Sequence, residues 1–174
     1  MFYGLTPLGI VHTLISLVAV GAGLIALVRD KEIRLATRTG QVYVITTVLT
    51  CLTGFGIFRH GGFGPPHMLG IVTLVVLGIA MLAERSQTFG KLSAYVAVVS
   101  YSLTFFFHMI PGVTETSTRL PLGAPLVADR DASPGLQGVI GALFVVFLIG
   151  ATVQVIRLRA SRQRGALDGL RMMG

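Results

Sequence analysis

Four histidines, His12, His60, His67 and His108, are the side chains of this sequence best suited to chemistry. Two of them flank the tight turn "RHGGFGPPH", residues 59–67, and the other two lie inside apolar runs. Neutral imidazole ligates zinc, copper or iron, holds a haem iron, or moves protons near neutral pH. Any cooperative use requires the rings at one level of the fold. His12 stands 17 residues before Arg29 and His67 stands 17 before Glu84, while His60 follows Gly40 by 20 and His108 follows Gly90 by 18. At a rise of ~1.5 Å per residue, helices starting and ending at those landmarks place all four rings roughly 25 to 30 Å from one membrane face.

The elements that must position this layer follow from composition. Of the 174 residues 53% are hydrophobic and only 12% charged, which excludes both a disordered chain and an ordinary soluble domain. Apolar stretches at about 8–28, 41–60, 65–83, 92–110 and 136–157 each approach the ~20 residues that cross a ~30 Å hydrocarbon core. The expectation is one all-α membrane domain over residues 1–174 with five transmembrane helices. Gln41 and several threonines make the second span the least hydrophobic. Basic residues set the orientation: Arg29, Lys31, Arg34, Arg38, Arg85, Lys91 and the tail arginines Arg157, Arg159, Arg162, Arg164 and Arg171 fall on one side, against Arg59, Arg119 and Arg130 on the other. The rich side is read as cytoplasmic, with the N-terminus outside and the tail, residues 157–174, inside a bacterial inner membrane. The net charge of +7 then sits wholly inside, facing an anionic inner leaflet, and does not call for nucleic acid. The single cysteine, Cys51, excludes an intrachain disulfide and a Cys-rich metal site.

The two halves echo one another. "HTLISLVAVGAGLIALVRD" aligns with "HMLGIVTLVVLGIAMLAER", and "TGQVYVITTVLTCLTGFGIFRH" aligns with "FGKLSAYVAVVSYSLTFFFH" across a small gap. Each half reads histidine, apolar helix, charged pair, glycine, tyrosine, helix, histidine. A duplicated two-helix hairpin would form a four-helix bundle with a pseudo-twofold axis along the membrane normal, the fifth helix lying outside it. Polar stripes point to the same interior: Thr46, Thr50, Thr53 and His60 share one helical face, and Tyr101, Thr104 and His108 share another. For each hydroxyl alone, bonding its own backbone is the simpler reading.

Four histidines in a layer point first to a transition metal, Zn, Cu or Fe, ligated by His12, His60, His67 and His108 near the outer face. The loop 112–135 is expected to cover that site, with Glu115, seven residues beyond His108, as acid or base in hydrolytic or redox chemistry. An Arg119 partner for Glu115 is the equal alternative. A b-type haem is the competing cofactor, with His60 and His108 or His12 and His67 as axial ligands and Arg59 or Arg119 at the propionates. A cofactor-free subunit, or one that moves protons or ions through bare histidines, is the third reading.

The segments "GIVHTLISLVAVGAGLIALV", "RTGQVY" and "GPPHMLGIVTLVVLGIAMLA" resemble a bacterial family of small multi-pass inner-membrane proteins of unknown function. The similarity runs from Gly9 to Tyr101. That family has a His-Arg pair before the Gly and Tyr of the first inner loop, where this chain has Thr37-Arg38. The resemblance implies the topology and the histidine of the first helix; it implies no activity.

Overall fold

The computed structural model describes residues 6–58, 62–120, 126–127 and 133–172, and these form five α-helices. They are α1 (Pro7–Arg29), α2 (Arg38–Gly54), α3 (Pro65–Ser86), α4 (Ser93–Arg119) and α5 (Pro134–Arg171), with a 3-10 turn at Gly90–Leu92 leading into α4. By length and composition α1, α3, α4 and α5 can each cross a membrane, so the chain is a multi-pass membrane protein. α2, at 17 residues, is shorter and less apolar.

Local chemistry explains most helix starts. Thr6 accepts a hydrogen bond from Gly9 N at 3.1 Å, and Pro7 occupies the first turn, where its missing N–H costs nothing. Ser133 and Pro134 repeat that pattern at α5. Pro65 and Pro66 open α3 behind Gly64.

Three helix bounds differ from those expected. α2 ends at Gly54 instead of reaching 60, because Gly54 and Gly56 weaken its last turn and the chain closes short bonds from Gly56 N to Thr53 O and Ile57 N to Gly54 O. Arg59 and His60 lie outside the described residues. α4 does not stop at 110: it runs through Pro111 to Arg119, so the first eight residues of the expected 112–135 loop are helical. Proline removes only the bond to the carbonyl four residues back, and the Thr114 and Thr118 hydroxyls donate to Ile110 O and Thr114 O at 2.7 and 2.8 Å beyond it. The chain then turns back on α4, with Val127 N donating to Ser117 O. α5 begins at Pro134 and continues past 157 to Arg171, about 57 Å in all, since its Arg-, Ala- and Leu-rich tail favours helix.

α1 packs on α2, α3 on α4 and α5 on α4, with slighter contacts of α2 with α3 and of α1 with α4. Their common core contains Ala22, Ala26, Ala80, Ala83 and Ala97 around Tyr43 and Tyr101. Such small residues let helix backbones approach where lipid gives no hydrophobic drive to pack. Gly23 marks the tightest approach of α1 to its neighbours, since a Cβ there would come within 2.6 Å of the Phe105 ring and 3.0 Å of Tyr43.

The α1–α2 turn is clamped from two sides. Glu84 of α3 accepts from Leu35 N at 2.9 Å and Ala36 N at 3.1 Å, and Ile33 is fully buried beneath. Gln154 of α5 donates to Lys31 O at 2.9 Å while accepting from Ser102 of α4 at 2.8 Å. Beyond the turn, Arg162 of α5 donates to Lys91 O and stacks over Tyr95 at 5.2 Å. Hydrogen bonds from Arg29 hold the neighbouring Asp30 carboxyl below its usual range.

Candidate functional site: a histidine, threonine and tyrosine seam

The buried polar groups of α2 and α4 meet face to face. Tyr43 and Thr104 join through their hydroxyls at 2.8 Å, and Thr104 also donates to Tyr101 O at 2.8 Å. A hydroxyl has one proton, so with the Thr104 proton on that carbonyl, Tyr43 is the donor of the pair. One turn along, Thr47 and His108 Nε2 lie 3.0 Å apart, both buried, with the Tyr43 ring edge-on to the imidazole at 6.0 Å. Farther along α2, Thr53 Oγ1 lies 3.0 Å from His12 Nδ1. Gly54 makes room for that ring, as a Cβ there would lie 3.2 Å from His12 Cε1.

The three described histidines have different hydrogen-bonding roles. Thr53 donates to Leu49 O at 2.7 Å, so His12 donates from Nδ1 and its Nε2 keeps a lone pair. His67 is the reverse: Gly64 N donates to its Nδ1 at 3.2 Å, so the neutral ring carries its proton on Nε2. That Nε2 is buried without a hydrogen-bond partner among the described residues, and the ring is stacked against Phe58 and Phe63 at 5.0 and 5.1 Å. While Gly64 holds Nδ1, Nε2 of His67 offers a donor and not a ligand lone pair. His108 meets a hydroxyl that can donate or accept, so it can take either tautomer.

His12 and His108 both meet threonines of α2, Thr53 and Thr47. Glu115 sits on α4 and accepts from Arg119 Nε at 2.7 Å, one helical turn on, while Arg119 also keeps a buried Nη1 with no partner among the described residues. Among the described residues no three His, Cys, Asp or Glu side chains stand close enough to hold a metal ion. Toward the other end of α4 the Tyr101 hydroxyl, fully buried and without a close hydrogen-bond partner among the described residues, lies within electrostatic reach of Glu84 and Tyr43.

Comparison with models of protein families, with curated proteins and with solved structures gave no match. The seam therefore has to be read from its own chemistry.

Of the two polar stripes read from the sequence, that of α4 is buried along its length, and Thr104 and His108 meet α2. On α2, Thr46 and Thr50 return their protons to the carbonyls four residues back, and the buried partner is Thr47, which the stripe omitted. Its signal was the four-residue step from Tyr43. Replacing Thr47 with valine strands His108 Nε2 in the interior and should cost about 1.5 kcal/mol. Thr47→Ser, which keeps the hydroxyl, should cost less than half as much. Parallel thermal unfolding of the two variants checks this, and equal losses would show that the contact is packing alone.

Proposed function

We propose that this protein carries protons through a bacterial inner membrane along the seam of His12, Thr53, His108, Thr47, Thr104 and Tyr43. The carrying observation is that the buried imidazole of His108 and the buried phenol of Tyr43 each meet a hydroxyl on a facing helix at 3.0 and 2.8 Å. Groups that can donate and accept in turn are what a proton relay requires, and ionisable side chains within a bilayer are retained chiefly for such work. Tyr101 and Glu84 extend the polar line toward the basic end. In this reading α2 also spans, so five helices cross the membrane and the first four are a duplicated hairpin. The N-terminus and the histidine end face the periplasm, and the basic tail faces the cytoplasm.

The test is proton flux into vesicles holding the purified protein and a pH-sensitive dye, driven by an imposed membrane potential. Vesicles holding wild-type protein should acidify inside faster than protein-free vesicles, and His108→Phe and Tyr43→Phe should each return the rate to the protein-free value. Wild-type vesicles no leakier than empty ones would refute the proposal.

A metal centre is the second reading, favoured by the lone pair that the Thr53 contact leaves on Nε2 of His12. There His12 and His108 would bind zinc, copper or iron, with Glu115 as acid or base. Elemental analysis and an absorption spectrum of the same sample decide it. Stoichiometric metal lost in His12→Ala and His108→Ala would establish that reading, and a Soret band lost in the same variants would make the cofactor haem b.

A further inference from the structure

Between α1 and α2, toward the basic end, lies an open groove of about 450 Å³ walled by Val18, Gly21, Ile25 and Val42 and ending at Arg38 and Thr39. Gly21 opens it, since a Cβ at that position would meet nothing within 4 Å. The walls are apolar and lie on helices that face lipid, so hydrocarbon is the natural filling. The end is different.

The four basic residues around this turn are not equivalent. Arg29 donates to Asp30 at 2.8 and 2.9 Å and to Thr39 Oγ1 at 2.9 Å; the Lys31 ammonium donates to Val28 O; Arg34 faces Glu32 at 3.6 Å. Arg38 has no hydrogen bond or ion pair among the described residues, and it occupies the first position of α2, where the helix end adds positive potential. Thr39, having accepted from Arg29, keeps its own proton to donate. An apolar trough ending in an unengaged guanidinium and a hydroxyl donor complements a molecule with a hydrocarbon tail and a negatively charged phosphate head.

We propose that this groove binds one anionic phospholipid, an acyl chain lying against Gly21 and Ile25 and the phosphate on Arg38. The proposal depends on the chain spanning a membrane, and it is independent of the proton reading. The basic residues around the turn, Arg29, Lys31, Arg34 and Arg38, outnumber Asp30 and Glu32, and that surplus favours a net negative headgroup over a zwitterionic one.

The experiment uses the full chain reconstituted into bilayers of phosphatidylcholine and phosphatidylglycerol in equal amounts, extracted in mild detergent and weighed by native mass spectrometry. Wild type should retain one phosphatidylglycerol in preference to phosphatidylcholine. Arg38→Gln should lower that retention about fivefold, the factor that one basic residue contributes at an anionic surface. Gly21→Leu, which fills the open space without touching the core, should abolish it, and Arg85→Gln, at the end of α3, should leave it unchanged. Equal retention of both lipids by wild type would overturn the proposal. So would retention indifferent to both groove variants, or a loss in Arg85→Gln as large as that in Arg38→Gln, which would mark a diffuse field instead of a site.

Discussion

Gly40→Ala is expected to destabilise the fold by about 3 kcal/mol, the upper end for overpacking, because the atom it adds collides with backbone. An ideal Cβ at Gly40 would lie 1.8 Å from Arg34 O and 2.6 Å from Arg34 C. A side chain in that position could swing away. This carbonyl cannot, because it already accepts from Thr37 N at 3.1 Å and Thr37 Oγ1 at 3.0 Å, and the turn around it is pinned by the fully buried Ile33 and by Glu84. The chain supplies its own reporter: Cys51 is the single cysteine and is buried, so a thiol-reactive dye labels it only as the protein unfolds. The midpoint should fall by roughly 10 °C. Gly21→Ala provides the contrast, since the added methyl meets open space and alanine is the better helix former by up to about 1 kcal/mol. It should leave the midpoint unchanged or raise it, and a similar fall in both variants would show that the Arg34 contact is not the cause.

The second large effect is expected at Glu84. Its carboxylate receives Leu35 N and Ala36 N, the latter exposed and the former partly buried, so Glu84→Ala removes two charge-assisted bonds and leaves one amide poorly hydrated. At about 1.5–3 kcal/mol for a bond to a charged group, offset by rehydration of Ala36, a loss of roughly 2 to 3 kcal/mol follows. Glu84→Gln keeps one acceptor oxygen but turns a donor toward the second N–H, so it should fall between the two. Hydrogen exchange at Leu35 and Ala36 gives the local readout: faster exchange at both in the alanine variant, and at one in the glutamine variant. Unchanged exchange would mean that the turn is held by Ile33 and Gln154 without the carboxylate.

The sequence determined this protein's class, because crossing a membrane is a property of contiguous residues. Each long apolar run sums its transfer energy locally, and α1, α3, α4 and α5 formed where those runs lie. Pro7, Pro65 and Pro134 open three of these helices for the same local reason. Helix ends were less legible. A glycine pair stopped α2 early, whereas Pro111, which sequence rules make a breaker, was absorbed because the helix lost a single bond and regained hydroxyl contacts around it. The polar seam could be anticipated on α4, where Tyr101, Thr104 and His108 share a face, but on α2 it depended on how that helix is turned about its axis. Of the three threonines in one stripe, Thr50 is buried and Thr53 meets His12, but the partners of α4 are Tyr43 and Thr47, because Gly23 admits the Phe105 ring and Tyr43 fills the space between α1 and α4. Equally, the four histidines could be counted in the sequence, yet the roles of two came from tertiary neighbours: Thr53 fixes the proton of His12 and Thr47 leaves His108 free to exchange it, whereas that of His67 is set locally by Gly64, three residues before it. Hydrophobic length is additive along the chain, while the partner of a buried imidazole is set by which side chains on other helices fill the space around it.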